Sequence, residues 1–230
     1  MKFWIASLEH IVYHKDMIKI IIFASGIKEG GGSGFQELVE NSRTGVLDAQ
    51  IVAVISNHAE GGIQKRAHKL GVPFEYMPAP WSAKQYQEIV KKYQAEWVAL
   101  SGWLKLTKGL DPQKTINIHP GPLPQFGGDG MYGHHVHKTV IESYQKEEIK
   151  NSAVSMHFVT EKYDEGPIFF QYPVAIREND TPETLAERVN KIEHGWQSFI
   201  TNLVVHEKIK WDGKNPESLV VPSWYSFMER

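Results

Sequence analysis

Short apolar runs alternate with helical patterns through most of the chain. The first run, residues 18–25, is almost wholly apolar and β-branched, which is typical of a strand buried on both faces of a parallel sheet. Between the runs, apolar residues recur at the spacing of one helix face. Strands alternating with helices predict an α/β fold, an open and mostly parallel Rossmann-like sheet with helices on both faces. The predicted strands are 18–25, 51–56, 74–77, 96–103 and 114–119, and the predicted helices are 35–42, 61–71, 86–93 and 134–144.

The pattern changes after the helix that ends near residue 144. Two strand-like runs are joined by the acidic, glycine-containing connection "EKYDEG", which predicts a C-terminal β-hairpin. A long helix then begins with Thr181 as N-cap and Pro182 at its first position. We therefore expect one domain over residues 17–205, preceded by an N-terminal extension at residues 1–16.

The C-terminal tail, residues 206–230, contains the aromatic segment "VVPSWYSFMER". Apolar surface of this kind usually packs against another surface. Two alternatives stay open from the sequence: the tail packs on its own domain, or it packs on a second copy of the chain in a homodimer.

Composition narrows the class of protein. Of the 230 residues, 41% are hydrophobic and 23% charged, as in ordinary globular proteins. The net charge of -2 gives no electrostatic case for a nucleic-acid partner. No cysteine is present, which excludes disulfides and thiolate chemistry. No apolar run approaches the roughly 20 residues that span a bilayer, and charged and histidine residues interrupt the N-terminus, so we expect a cytoplasmic protein with no membrane partner.

A glycine-rich loop at residues 26–34 lies between the first predicted strand and the first predicted helix. At such a position, backbone N–H groups and the helix dipole suit a phosphate group. The loop matches neither the Walker pattern nor the dinucleotide fingerprint. The sequence leaves open whether it holds a phosphate or is only a flexible connection.

Four histidines occur close together, and they suggest a zinc hydrolase as one hypothesis. A catalytic zinc site usually has three protein ligands, and Asp129 or Asp164 would be the third. The spacing is not diagnostic of a metal, because exposed rings at a helix N-terminus explain several of these histidines equally well. The four histidines are His119, His134, His135 and His137.

Asn117 and His119 alternate on the last predicted parallel strand, so their side chains point to the same side at its carboxyl end. An amide donor beside an imidazole suits an oxyanion that forms on a carbonyl under attack. Asp164, in the hairpin connection, is either an ordinary turn carboxylate or a partner of His119. In the second case its charge would raise the pKa of His119 and favour the imidazolium.

These segments together resemble the folate-dependent formyltransferases. The strongest match is "INIHPGPLP", followed by "HFVTEKYDEGPIFFQYPVAI". The segments "SGIKEGGGSGFQELV", "LSGWLKLT" and "NKIEHGWQSF" are similar to other parts of the family and occur in the family's order. The resemblance runs from about Ile18 to about Val204.

The resemblance implies transfer of a formyl group from 10-formyltetrahydrofolate, a co-substrate, to a phosphorylated amine, with no metal. It implies small-molecule partners only, and glycinamide ribonucleotide of purine biosynthesis as the amine. The implied catalytic residues are Asn117, His119 and Asp164. The implied substrate-binding residues are Gly32, Ser33 and Gly34 for the phosphate and Glu193 for the ribose. The implied folate-binding residues are Trp103, Leu104, Lys105, Leu106, Val159 and Thr160.

The chain departs from the family pattern at several positions. The phosphate loop is longer and has Gly34 where the family usually has Asn, and Gly127–Tyr132 lengthens a second loop. Lys105 stands in place of an Arg, and Ala83, followed by Lys84, in place of another. A lysine keeps the charge but not the bidentate geometry. The amine therefore stays open, with a nucleotide-linked amino sugar as the alternative. A non-catalytic folate or nucleotide sensor is a third hypothesis.

Overall fold

One seven-stranded sheet organises the protein, in the order β3-β2-β1-β4-β5-β6-β7. The structure is a computed structural model that describes residues 17–28 and 30–227. The first five strands are parallel, and the last two are antiparallel to their neighbours. This confirms the predicted open, mostly parallel sheet with a C-terminal hairpin. The strands are β1 (Lys19–Phe23), β2 (Gln50–Ser56), β3 (Phe74–Tyr76), β4 (Trp97–Ser101), β5 (Thr115–His119), β6 (Asn151–Phe158) and β7 (Ile168–Ala175).

Helices cover both faces of the sheet, as predicted. The larger core lies on the face that receives α1, α2, α4 and α5. The smaller core lies on the other face, where Tyr86 and Ile89 of α3 pack on Phe23 and Trp103. The helices are α1 (Ser33–Thr44), α2 (Gly62–Leu70), α3 (Ala83–Lys92), α4 (His134–Gln145) and α5 (Pro182–Val205).

The ends of α5 and α2 follow from local sequence signals. Thr181 is the N-cap of α5 and its side chain accepts a hydrogen bond from the backbone N–H of Thr184, while Pro182 occupies the first helical position. Gly71 ends α2 in the left-handed conformation that glycine adopts without a Cβ penalty. The predicted start of α5 is confirmed.

The described part of the tail, residues 206–227, packs on the domain. The side chain of Tyr225 is buried and its hydroxyl donates to the carbonyl of Phe169 in β7, at 2.7 Å. The backbone N–H of Gln171 donates to the carbonyl of Phe227, at 2.8 Å. The ring of Phe227 also lies 4.7 Å from that of Trp196 in α5. Tail, hairpin and long helix thus share one aromatic layer.

Two further sequence predictions concern the N-terminal extension and the absence of a membrane partner. The proposed N-terminal extension, residues 1–16, lies outside the described residues. Within the part of the chain that the structure describes, no helix is both long enough and apolar enough to cross a membrane.

Candidate active site

The candidate site lies at the carboxyl ends of β1, β4 and β5. The strand order reverses between β1 and β4, and crevices at such switch points are where open α/β sheets bind ligands. Ser25, directly after β1, joins the two loops there. Its N–H donates to the carbonyl of Gly102 at 2.9 Å, and its hydroxyl oxygen accepts from the N–H of Leu104 at 3.0 Å. The glycine-rich loop and the loop after β4 are therefore held together.

Asn117, His119 and Asp164 converge although they come from separate segments. Asn117 and His119 sit on β5, and the hairpin connection carries Asp164 to them. Nδ1 of His119 lies 3.7 Å from Oδ2 of Asp164, and Nδ2 of Asn117 lies 3.4 Å from Oδ1 of Asp164. Asp164 has a φ of 54°, a left-handed conformation that aspartate tolerates better than most residues. The structure thus brings together the three residues that the sequence singles out for catalysis.

The imidazole of His119 has a defined orientation. Its Nε2 lies 2.7 Å from the carbonyl oxygen of Phe126. Because a carbonyl only accepts, Nε2 carries a hydrogen and donates it. The nitrogen that faces Asp164 is therefore Nδ1, which has a free lone pair when the ring is neutral.

The charge state expected for His119 is corrected by the structure. Its ring is almost wholly buried, and burial lowers the pKa of His119 below its usual value. The charge of Asp164 and the hydrogen bond to Phe126 act in the opposite direction but do not outweigh burial. The expected effect of Asp164, a rise in the pKa of His119, is present, but the net shift is downward because charging a buried ring costs desolvation. In the unliganded site His119 is neutral at neutral pH.

Asp164 is held as a carboxylate. Burial would raise the pKa of this carboxyl, but contacts with His157, His119 and the N–H of Gly128 outweigh burial and lower the pKa. The Gly128 N–H donates to Oδ2 of Asp164 at 3.1 Å.

His157 is a site residue that the sequence reasoning missed. It lies on β6 directly opposite Asn117 in the antiparallel register, and it is 2% exposed. Its Nε2 lies 3.1 Å from Nδ2 of Asn117 and 3.3 Å from Oδ1 of Asp164. The only sequence signal was a histidine in a predicted strand next to the hairpin connection, and its pairing with Asn117 depends on a register that the sequence does not give.

The glycine-rich loop forms one wall of a cavity of about 140 Å³, which we call the loop-side cavity. Gly32 has a φ of 78° and precedes α1, and the N–H groups of a helix's first turn have no partner within the helix. A Cβ on Gly34 would lie 2.5 Å from Oγ of Ser101 and 2.9 Å from Oε1 of Gln197. Glycine is required there because these side chains already fill the space. The lining residues are Gly32, Ser33, Gly34, Ser101, Gly102, Ile118, Pro120, Asn190, Glu193 and Gln197.

Glu193 of α5 lines the same cavity with a perturbed carboxyl. Burial raises the pKa of Glu193 to about 7, and a hydrogen bond from Nδ2 of Asn190, at 3.3 Å, opposes this only in part. The group therefore changes charge near neutral pH, whereas an exposed glutamate would be fully ionised.

Two more cavities continue the loop-side cavity into one cleft. The central cavity shares Gly102, Ile118 and Pro120 with it and contains Asn117, His119 and Asp164. The hairpin-side cavity shares Trp103, Asn117, Tyr163 and Asp164 with the central one. Of the residues expected to bind folate, Leu104 lines the central cavity. The other five line the hairpin-side cavity: Trp103, Lys105, Leu106, Val159 and Thr160.

A larger cavity, of about 320 Å³, lies beyond the hairpin-side end and includes Leu110, Glu161 and Gly213. It contains none of the three candidate catalytic residues. Size alone therefore does not mark the site, and the convergence of polar groups in the smaller central cavity does.

Comparison with known proteins identifies the family. Residues 18–202 match the family model described as formyl transferase, which is well over half of the chain. The chain belongs to the formyl transferase family. The curated phosphoribosylglycinamide formyltransferase of Bacillus subtilis is 30% identical to this formyl transferase over 190 residues, covering 78% of the chain and 91% of the relative.

The chloroplastic phosphoribosylglycinamide formyltransferase of Arabidopsis thaliana is 35% identical over 204 residues, covering 84% of this formyl transferase. The chain spans 67% of that relative and 62% of its counterpart from Vigna unguiculata. Among solved structures, glycinamide ribonucleotide transformylase 1 from Symbiobacterium toebii superposes with a TM-score of 0.78 at 26% identity, covering 94% of this chain and 99% of that one.

The loop Gly127–Tyr132 of this formyl transferase lies against Asp164. Gly128 supplies the N–H that binds its carboxylate, and a Cβ on Gly127 would lie 3.0 Å from the Cβ of Asp164. Met131 and Tyr132 line the central cavity. The longer loop therefore forms a wall beside the candidate catalytic residues.

The lysines expected to replace family arginines differ in position. Lys105 lines the hairpin-side cavity, and its Nζ lies 4.6 Å above the ring of Trp81. Lys84 is exposed and pairs with Glu88 at 3.7 Å. Only Lys105 therefore lies at the cleft.

The four histidines of the zinc hypothesis do not form one cluster. His134 is exposed and faces Glu183, with Nδ1 and Oε1 3.5 Å apart, while the His135 ring packs on Tyr132. His137 is buried in α4, where burial lowers its pKa to about 4. Across residues 17–28 and 30–227, no group of three His, Asp or Glu side chains has the geometry to hold a metal. The histidines therefore give the zinc hydrolase hypothesis no geometric support.

Proposed function

We propose that this formyl transferase moves the formyl group of 10-formyltetrahydrofolate to a phosphorylated primary amine, glycinamide ribonucleotide. One observation carries the proposal: a single cleft runs from the glycine-rich loop at the start of α1, past Asn117, His119 and Asp164, to the residues expected at the folate head group. The two ends fit an anionic acceptor and a planar donor, and the formyl carbon would lie between them. Relatives named as phosphoribosylglycinamide formyltransferases support the same acceptor.

The proposed reaction begins when the neutral amine attacks the formyl carbon, and the formyl oxygen becomes an oxyanion. An N–H of Asn117 is the proposed donor to that oxygen. When the intermediate collapses, the carbonyl re-forms and the bond between the formyl carbon and N10 of the folate breaks. The attacking nitrogen must lose a proton and N10 must gain one. Neutral His119 is suited to take this proton at Nδ1 and pass it to N10, and Asp164, 3.7 Å away, would stabilise the transient imidazolium.

The acceptor would occupy the loop-side cavity. Its phosphate would bind the N–H groups of Gly32, Ser33 and Gly34 at the start of α1, where the helix dipole favours an anion. A ribose hydroxyl would donate to the carboxylate of Glu193. This places the acceptor's amine toward the central cavity.

The folate would occupy the hairpin-side cavity. Trp103, Leu106 and Val159 offer apolar walls for the head group, and Leu104 would contact it from the central cavity. Lys105 and Thr160 lie at the same cavity and would contact polar atoms of the folate. The departing N10 would then face His119.

Purified protein should be assayed with 10-formyltetrahydrofolate and a panel of amines, glycinamide ribonucleotide first. We expect formyl transfer to that amine and almost none in His119→Asn. Transfer only to a nucleotide-linked amino sugar would replace the acceptor, a result that Gly34 and Ala83 at atypical positions make worth testing. Formate release without transfer, or folate binding without turnover, would refute the transferase proposal.

We propose further that no metal takes part, since each step above uses protein side chains. Activity should survive dialysis against a chelator. Loss of activity that zinc restores would instead favour the hydrolase or a metal-assisted transfer.

We also propose residues 17–205 as the catalytic domain and residues 206–230 as its C-terminal tail; the contacts of residues 206–227 with the domain support packing on the same chain. A homodimer is proposed as well, and light scattering of the purified protein tests it. The cytoplasmic location stays a prediction, to be tested by fractionation, because the plant relatives are named chloroplastic.

A further inference from the structure

His157 lies against the side-chain amide of Asn117. Nδ1 of His157 lies 2.7 Å from the carbonyl oxygen of Phe158. A carbonyl only accepts, so Nδ1 carries a hydrogen. A neutral His157 therefore has its lone pair at Nε2, and only the protonated ring has an Nε2–H.

The neutral ring leaves Asn117 turned the wrong way for catalysis. Nδ2 of Asn117 lies 3.1 Å from Nε2 of His157 and 3.4 Å from Oδ1 of Asp164. An amide nitrogen has two hydrogens, and these two acceptors use both. The atom of the amide that remains is the carbonyl oxygen, an acceptor, which repels a developing oxyanion.

Rotating the amide by 180° exchanges oxygen and nitrogen with almost no change in shape. Oδ1 of Asn117 would then lie against Nε2 of His157, which requires an Nε2–H. Nδ2 would be released to donate to the formyl oxygen. Ionised Asp164, with Oδ1 3.3 Å from the same Nε2, is the counter-ion that the protonated ring needs.

We propose that His157 is a positioning residue, and that its protonated form turns the Asn117 amide so that the N–H faces the reacting carbonyl. The charged and titratable groups that face this pair are Asp164, from the hairpin connection, and His119, which shares the Asp164 carboxylate from β5. The role in turnover rests on the proposed formyl transfer. The coupling of His157 to Asn117 does not, and it exists in the unliganded protein.

Two substitutions distinguish the role of the Nε2–H group from that of the rest of the His157 ring. His157→Gln places an amide N–H near the Nε2 position that does not titrate, so we expect kcat within about fivefold of wild type and a flatter acid-to-neutral pH profile. His157→Asn does not reach Asn117, so we expect kcat to fall about a hundredfold, as for a lost oxyanion donor, with both KM values within about threefold. Ser152→Ala, a buried position on the same strand whose hydroxyl has no hydrogen-bond partner among the described residues, is the matched control.

An NMR titration of the unliganded protein keeps the inference testable if no transfer is found. We expect the Asn117 side-chain amide signals to shift in step with protonation of His157 at Nε2, while Nδ1 stays protonated throughout. In His157→Gln that shift should vanish. Asn117 amide signals that do not change when His157 is protonated would overturn the inference. A kcat of His157→Asn above half the wild-type value would also overturn it, as would a kcat of His157→Gln no higher than that of His157→Asn.

Discussion

Nδ1 of His119 lies 3.7 Å from Oδ2 of Asp164, and both side chains are largely removed from solvent. The carboxylate raises the pKa of His119, yet burial lowers it by more. Asp164 therefore does not make the resting imidazole cationic. Its charge offsets part of the lowering of the His119 pKa by burial, and this makes the protonation that the reaction requires easier.

Asp164→Asn should remove that support. Without the carboxylate, the hydrogen bond to Phe126 is what remains to oppose burial at His119, so the pKa of His119 should fall further, and turnover should drop at least a hundredfold. Asparagine tolerates the left-handed backbone at this position, so the fold should persist. Steady-state kinetics and an NMR titration of His119 check both effects.

Glu165→Gln is the matched control for that experiment, because Glu165 is the exposed neighbour that pairs with Lys162 at 2.9 Å. We expect it to leave both turnover and the His119 titration unchanged. An unchanged His119 titration in Asp164→Asn would contradict the electrostatic role given to Asp164.

Glu193→Gln should simplify the pH dependence of acceptor use. The pKa of Glu193 is about 7, so its carboxylate, the form that accepts two hydroxyl hydrogens best, increases as pH rises through that value. In the wild type, kcat/KM for the acceptor should rise between about pH 6 and about pH 8. In the variant, kcat/KM should no longer rise in this way. Any pH dependence that comes from ionisation of the substrate phosphate, whose second pKa is about 6, should remain. Identical profiles in the two proteins would remove Glu193 from the acceptor site.

Gly34→Ala should weaken acceptor binding. The new Cβ would meet Oγ of Ser101 at 2.5 Å and Oε1 of Gln197 at 2.9 Å, so these side chains or the loop must shift within the loop-side cavity. We expect KM for the acceptor to rise about tenfold, because each 1.4 kcal/mol of lost binding is a factor of ten, while KM for the folate changes little. Adding Ser101→Ala should recover part of the loss, since it removes the nearer atom.

Gly195→Ala is the control for a glycine substitution, since among the described residues nothing lies within 4 Å of its Cβ position. It sits inside α5. Alanine there should raise the free energy of unfolding by about 0.5–1 kcal/mol and leave the kinetics unchanged. Equal kinetic effects of the two substitutions would contradict the steric argument.

Asp180→Ala should destabilise the fold without affecting chemistry. Asp180 binds Arg188 with two hydrogen bonds of 2.6 and 2.7 Å at the start of α5, and this holds its pKa well below the usual value. We expect a loss of about 2 kcal/mol at neutral pH. A depressed carboxyl pKa contributes stability that is complete above the unfolded value of about 4 and is lost as the pH falls through the folded value.

Urea unfolding of wild type and Asp180→Ala at neutral and acid pH tests this. The difference in the free energy of unfolding between the two proteins should become smaller below about pH 4. A difference that stays constant down to strongly acid pH would show that the carboxylate is not its source.

Local signals in the sequence were sufficient for much of the fold. Strand–helix alternation predicted the parallel sheet, and Thr181 with Pro182 predicted the start of α5. Alternation also placed Asn117 and His119 on one side of a strand. Features that depend on contacts between distant segments of the chain could not be predicted from these signals. The antiparallel register that sets His157 against Asn117 and the burial that keeps His119 neutral both come from tertiary packing.

Ser25 is hydrogen-bonded to both Gly102 and Leu104, so it links the glycine-rich loop directly to the loop after β4. Ligands at the two ends of the cleft would then be energetically coupled, and coupling of this kind is reciprocal. Calorimetry should measure the affinity of each ligand with and without the other. The acceptor should change the affinity for a folate analogue by the same factor by which the analogue changes the affinity for the acceptor. Ser25→Ala, which lacks the hydroxyl oxygen that accepts from Leu104, should reduce that factor toward one.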